Sequence, residues 1–302
     1  MPIYPMMQVD AFTTKPLHGN PCAVIFDTDD LDEQSMLALA REMNLSETAF
    51  VRSPSANQSS KLPTFEARYF TPAEEIPMAG HPTIATTFAL VNTGRLKLTG
   101  SLTRYNLLLQ VGLIHVEILA QGEVVRYIVM TQKKPQFLDV IDGAEALPVF
   151  GLTEDDSLPG VPIQVVSTGT PQLMIPLKSQ EELRRANVDL ADYSKLRDRY
   201  GFFSPHLFCL GGVTKKGDTF ARHLGTPPDL MEDPFTGSAT GGMAAYLWRY
   251  NLIPEPTFTA EQGHWLGRPG EAIVEIIGPR EDIQVVKVGG AAVAVMHGTL
   301  TL

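Results

Sequence analysis

The sequence predicts an α+β protein of two pseudo-symmetric halves, each a curved, mostly antiparallel sheet or barrel around one central helix. Three observations predict this. Phe65 to Val91 (FEARYFTPAEEIPMAGHPTIATTFALV) starts as a strand, breaks at Thr71-Pro72, passes Gly80-His81-Pro82 and ends in a run without a charge. Thr219 to Trp248 repeats that order: Phe220-Ala221-Arg222 echoes Phe65 to Arg68, Thr226-Pro227 echoes Thr71-Pro72, and Gly237-Ser238 echoes Gly80-His81. Most of the remaining chain is short apolar segments separated by glycine and proline, which reads as strands and turns. The helices Thr83 to Val91 and Thr240 to Trp248 offer water no charged face, so they belong inside a domain with strands wrapped around them.

The elements follow in order. Ile3 to Phe12 is a strand, Thr13 to Asn20 a loop with a tight turn at His18 to Pro21, and Ala23 to Phe26 a short apolar strand. Asp29 and Asp30 offer an N-cap for a helix from Leu31 to about Met43, and Asn44 suits its left-handed C-terminal cap. Leu45 to Val51 is a strand, Ser53 to Lys61 a polar loop. After the central helix, strands are expected at Leu96 to Leu98, Ser101 to Gln110, Leu113 to Leu119 and Val124 to Thr131, with turns at Gly100, Gly112 and Gly122. Lys133 to Gly160 is rich in proline and acidic residues, has room for a short helix and belongs to the second half. Strands at Ile163 to Ser167 and Leu173 to Leu177, helices at Gln180 to Ala186 and Leu190 to Tyr200, and a strand at Leu207 to Leu210 lead to the second copy of the unit. Strands at Pro256 to Glu261, Ala272 to Ile277, Ile283 to Val288 and Ala291 to Leu300 close the chain. The expected domains are residues 1–131 and 132–288, with the last strand, about 289–302, a candidate to cross back to the first.

Composition narrows the function. With 302 residues, 44% hydrophobic and 19% charged, the chain is long enough for two cores. A net charge of −10 with scattered Lys and Arg argues against nucleic acid and against an anionic membrane surface. A small anionic substrate remains open, because helix N-termini supply a local positive field. No run spans a bilayer, and MPIYPMMQVD is no signal peptide. Cys22 and Cys209 have neither metal spacing nor a disulfide framework, which fits a reducing cytoplasm.

The chemistry-bearing candidates sit around the two helix starts. Gly80 and Gly237 let backbone approach closely, and two helix N-termini facing one cleft form an amide cradle for a carboxylate; the plainer reading is two ordinary helix starts. His81, at the mouth of a buried helix, is either structural or part of a site. Asp233 precedes Pro234, a common turn, yet lies near the expected cleft, where it could bind an amine or hold a proton. Ser238 could cap its helix or bind ligand. Period two puts Glu47 on the face of Leu45, Ala49 and Val51. It is either a strand-end carboxylate in water or an inward acid whose pKa burial raises toward neutrality. Walker, Rossmann, GxSxG and zinc patterns are absent.

At these residues the chain resembles the phenazine-biosynthesis PhzF-like isomerase family over nearly its whole length. The matching stretches are Val9 to Phe12 with Gly19-Asn20-Pro21, Ser46 to Phe50, Arg68 to Pro72 with Glu75 to Pro82, and Glu232-Asp233-Pro234 with Thr236 to Ala239. Gln262-Gly263, Gly267-Arg268-Pro269 and Val288-Gly289-Gly290 also fit. The resemblance implies a diaminopimelate-epimerase-like fold with the site between the halves, usually in a homodimer. It also implies isomerisation of trans-2,3-dihydro-3-hydroxyanthranilate or a similar substrate without cofactor or metal. By motif, Glu47 moves the proton, and His81, Asp233 and Ser238 bind and position substrate. The related epimerases carry a cysteine pair at the helix mouths; Ala79 and Thr236 stand there in this chain, which excludes two-thiol racemisation. The expected function is a cofactor-independent isomerase. An epimerase or racemase using Glu47 and another acid, and a binding protein without turnover, are the alternatives. Loops such as Thr13 to His18 and Phe202 to His206 are expected to set substrate size.

Overall fold

The computed structural model describes residues 1–52 and 62–302. The polar loop expected over Ser53 to Lys61 lies outside the described residues. The first half contributes β1 (Ile3–Ala11), β2 (Asn20–Phe26), α1 (Glu33–Met43), β3 (Glu47–Val51), β4 (Thr64–Phe70), β5 (Glu75–Ile76), α2 (Gly80–Asn92), β6 (Leu102–Leu109), β7 (Gly112–Gln121) and β8 (Val124–Thr131). The second contributes β9 (Gln136–Ile141), α3 (Gly143–Ala146), β10 (Ile163–Ser167), β11 (Pro171–Pro176), α4 (Gln180–Arg185), α5 (Leu190–Tyr200), β12 (Ser204–Leu210), β13 (Thr219–Leu224), β14 (Glu232–Asp233), α6 (Gly237–Arg249), β15 (Thr257–Gln262), β16 (Gly270–Ile277), β17 (Val285–Gly290) and β18 (Ala292–Thr301).

Strand pairing is the same in both halves. β1-β2-β3-β4-β6-β7-β8 and β10-β11-β12-β13-β15-β16-β17 run in matching order, with β2/β3 and β4/β6 parallel, as are β11/β12 and β13/β15. The two ladders join where β8 pairs antiparallel with β17. The pieces that follow each joining strand trade places: β9 pairs with β10, and β18 runs antiparallel along β1.

Each ladder curls around its central helix, which carries no charge except Arg249 at the exposed end of α6. Ten of the thirteen residues of α2 are buried, and eleven of the thirteen in α6. This is what the absence of charge requires, since a lysine or glutamate there would lose its water without gaining a partner. Helices α1, α4 and α5 cover the outer faces. Their smaller apolar clusters include Met36, Phe50 and Phe70 in the first half, and Leu183, Tyr193 and Phe220 in the second.

The halves share one internal register. Arg68 on β4 makes paired hydrogen bonds of 2.8 and 2.6 Å with Glu75 on β5, and Arg222 on β13 makes the same pair, 3.0 and 2.7 Å, with Glu232 on β14. Phe50 faces Arg68 and Leu207 faces Arg222, so counting back three residues makes Ser204 the counterpart of Glu47. Cys22 beside Glu47 and Gln172 beside Ser204 give the same alignment.

Some local expectations are corrected. The cap of α1 is Asp32, whose carboxylate accepts from Ser35 N at 2.8 Å; a turn from Thr28 to Leu31 delays the helix past Asp29 and Asp30. Leu96 to Leu98 is not a strand: Leu96 folds back to donate to the Leu90 carbonyl and closes the end of α2. β9, inside the stretch read as loop and short helix, is a mostly exposed strand paired, among the described residues, only with β10, so it lacks a continuous apolar face. Both central helices begin three residues earlier than read, at Gly80 and Gly237.

Candidate active site

The two central helices meet at their first residues. A Cβ on Gly80 would lie 2.5 Å from Gly237 Cα, and a Cβ on Gly237 would lie 2.7 Å from Phe12 Cζ. The close approach that the glycines permit is therefore an approach to each other. Neither N-cap, Ala79 or Thr236, bonds its side chain to the first helical turn. Amide donors of both helix starts are thus left free of side-chain caps beside a cleft of about 630 Å³, including its open mouth. Ala79, Thr236, Ser238, Glu47 and Asp233 all line this cleft.

Symmetry-related hydrogen bonds staple the halves around it. Asn20, at the start of β2, donates from Nδ2 to the Phe235 carbonyl at 2.8 Å. Thr170, two residues before Gln172 as Asn20 is two before Cys22, donates to the Met78 carbonyl at 3.0 Å. Met78 and Phe235 each precede an N-cap, so each half fixes the other's helix entrance.

Asn20 also sets the protonation of the site. Its Nδ2 donates to Asp233 Oδ1 at 2.7 Å and lies 2.9 Å from His81 Nδ1. Two of these three neighbours are acceptors only, which assigns the nitrogen rather than the oxygen of the amide to this position. An amide nitrogen does not accept, so His81 Nδ1 is bare and the ring proton sits on Nε2. Nε2 lies 3.2 Å from Glu47 Oε2, and neither atom completes a hydrogen bond. Burial holds the His81 imidazole down to about 4, so the ring is neutral at physiological pH.

Glu47 faces inward. Its side chain is 13% exposed, at the first residue of β3. Burial pushes its carboxyl well above the usual range, and the nearby negative charges of Asp233 and Asp229 push it the same way. Asp233 is held by Asn20 on Oδ1 and by the Thr236 hydroxyl on Oδ2 at 2.5 Å. Gln262 braces that turn, donating to the Asp233 carbonyl at 2.7 Å and accepting from Thr236 N at 3.1 Å.

Of the residues singled out in the sequence, Glu47, His81 and Asp233 present oxygen or nitrogen atoms within 4.8 Å of one another, although their positions span 187 residues. Ser238 lines the cleft, and Gly80 and Gly237 form the helix contact behind it. Two carboxylates and an imidazole could hold a divalent cation. Both Asp233 oxygens already accept hydrogen bonds and the Asn20 amide blocks His81 Nδ1, however, which leaves His81 Nε2 and the Glu47 carboxyl as the free donors. Asn20, Gln172, His223, Tyr193, Arg197 and Asp229 were not assigned to the site from the residues, and Ser204 only as part of the stretch Phe202 to His206. A lone Asn in a turn and a histidine inside a strand carry no local signal; the alignment of the two halves does.

A family model described as phenazine biosynthesis-like protein (PhzC-PhzF) matches residues 9–298. The chain belongs to this family. It is 34% identical to the "uncharacterized isomerase YddE" of Escherichia coli strain K12, over 96% of this chain and 95% of that protein. It is 32% identical to the trans-2,3-dihydro-3-hydroxyanthranilate isomerase of Pseudomonas fluorescens, over 97% and 98%. A solved PhzF-family protein of Bacillus anthracis superposes with a TM-score of 0.84 at 28% identity, each chain covered completely. This PhzC-PhzF chain is therefore an isomerase with a diaminopimelate-epimerase-like fold. No helix among the described residues is long and apolar enough to cross a membrane.

Proposed function

We propose that this protein moves a proton within a small carboxylate-bearing substrate, without cofactor or metal, using Glu47 as both general base and general acid. The observation that carries the reading is the buried Glu47 carboxyl, lacking a hydrogen bond on Oε2, beside the neutral Nε2–H of His81 in a cleft that ends on two helix N-termini. A carboxyl with a raised pKa exchanges protons with carbon acids near neutral pH at lower cost than an ordinary one. The substrate carboxylate sits against the uncapped amides around Gly80-His81 and Gly237-Ser238. His81 donates from Nε2, and Asp233 and Ser238 orient the substrate's polar groups. A ring of dihydro-hydroxyanthranilate type suits these contacts, and the similarity to isomerases acting on that compound supports it. We further propose a homodimer in a reducing cytoplasm; both cysteines are free and buried, which suits that compartment.

The test is exchange in heavy water with trans-2,3-dihydro-3-hydroxyanthranilate as probe. Wild type incorporates deuterium in a substrate-dependent manner and keeps doing so in the presence of a chelator, whereas Glu47→Gln, folded normally, does not. Exchange that survives the substitution overturns the reading. One observation favours a second: Asp233 brings a carboxylate from the other half within 4.8 Å of Glu47 and His81, as a two-base epimerase would need. Chiral analysis of the product separates the two.

A further inference from the structure

The wall that the second half contributes holds a polar chain which the proton transfer does not use. Ser204 opens β12 and lines the cleft, in the place where the first half has Glu47. Its Oγ is 2.7 Å from His223 Nε2, and His223 Nδ1 is 3.3 Å from His206 Nδ1. Ser204 N donates to Gln172 Oε1 at 3.2 Å, and the hydroxyl lies at the same distance. All four residues are buried, with His206 wholly enclosed and its Nε2 without a hydrogen bond. Burial holds His223 at about 4 and His206 well below its ordinary value, so both rings are neutral.

Two neutral rings meeting Nδ1 to Nδ1 share one proton, which allows two arrangements. If His206 donates, the proton of His223 is on Nε2 and points at Ser204 Oγ; the serine hydrogen is then free to turn toward the cleft or Gln172. If His223 donates, its Nε2 is bare, the serine hydroxyl donates to it, and Oγ offers lone pairs to the cleft. His206 Nε2 stays unpartnered either way. Ser204 can thus face the cleft as donor or as acceptor with no change of charge.

We infer that Ser204 binds a hydroxyl or oxo substituent of the substrate, and that His223 and His206 are positioning residues that set which way its hydrogen points. The inference rests on the proton-transfer reading above and extends its substrate class to carboxylates that carry such a group near the reacting carbons. Moving a double bond to a carbon that bears a hydroxyl makes an enol, and protonation of that enol on carbon with loss of its O–H proton to solvent turns the donor into a carbonyl acceptor; the Ser204 wall matches either form. Within the stretch Phe202 to His206, Ser204 therefore sets specificity from the start of a strand, since β12 begins at Ser204 while Phe202 and Phe203 precede it.

Calorimetry with anthranilate and 3-hydroxyanthranilate tests this, because the two probes differ by one hydroxyl. Wild type should bind the hydroxylated probe about tenfold more tightly. Ser204→Ala should remove that preference while leaving anthranilate affinity in place. A purely structural role would weaken both probes together, and that result overturns the inference, as does a wild type without the preference or without affinity for either probe. On the unmutated protein, ¹⁵N spectra of the imidazoles should change at His223 and His206 with 3-hydroxyanthranilate and not with anthranilate; rings that ignore both probes also overturn it. No turnover is needed, so failure here leaves the Glu47 exchange experiment standing on its own.

Discussion

The two halves share a backbone plan and differ in what they place on it. At the start of β3 the first half has Glu47; at the start of β12 the second has Ser204. Asn20 and Thr170 bind the opposite helix entrance in the same way. Tyr69 faces Ile76 across β4 and β5, where the second half sets His223 against Asp233. His81 and Ser238 hold the second position of their helices. The Arg–Glu brackets and the glycine contact, which build the fold, are retained in both copies, whereas the residues that face the cleft have diverged. On the proposed function, a duplicated frame with unlike walls suits a substrate whose two faces are treated differently: one by an acid proposed to carry a proton, the other by groups proposed to hold.

The sharpest test of that contrast is functional. Glu47→Gln should lower exchange by about 10³-fold, while Ser204→Ala should lower turnover only about tenfold, in rates measured on the same probe. Comparable losses would mean the walls are not specialised.

Acid should come next. In the unfolded chain His81 and His223 take up protons as pH falls through 6.5; in the folded protein they resist until about 4. Their contribution to stability is complete above 6.5 and disappears between 6.5 and 4, by roughly 3 kcal/mol per ring. Urea unfolding at pH 7, 5 and 4 measures it. Glu47 acts in the opposite sense, because its folded pKa is raised: it opposes folding increasingly as pH climbs above its unfolded value of 4.5. Glu47→Gln should therefore unfold at higher urea than wild type at pH 8.

The helix contact separates the halves more finely. Gly80→Ala drives a methyl into the backbone of Gly237 and should cost about 3 kcal/mol. Gly237→Ala meets chiefly the Phe12 ring, a side chain rather than backbone, at 2.7 Å, so about 2 kcal/mol is expected. Smallest are the brackets. Arg222 also donates to the carbonyls of Leu183 and Ala186, at 3.0 and 2.8 Å, so Arg222→Ala should cost about 2 kcal/mol and Arg68→Ala about 1. Thermal melts that reversed either order would show that the frame, and not just its walls, has diverged.

Much of the fold was legible in the residues because burial leaves a compositional mark. A helix that reads TIATTFALV, or TGGMAAYLW, cannot be a surface helix, and strands of the second unit such as Ile163 to Ser167 carry their apolar pattern locally. The edge strand β9 carried none, because only one neighbour among the described residues holds it. The inward turn of Glu47 stayed open on periodicity alone, since the first residue of a strand is drawn to either side by what packs next to it.

What the sequence determined by itself was the frame: two copies of one unit, an uncharged helical run in each, and a glycine shortly before each run. Local chemistry is enough for that, since charge patterning and the demands of backbone geometry act over a few residues. Only the tertiary structure decided which polar groups share a cavity. Glu47, His81 and Asp233 are brought together by the contact of Gly80 with Gly237, and Asn20 settles the ring proton of His81 by reaching across 213 positions to Asp233. Desolvation and hydrogen-bond polarity depend on neighbours that are distant along the chain, and those neighbours exist only once both ladders have closed.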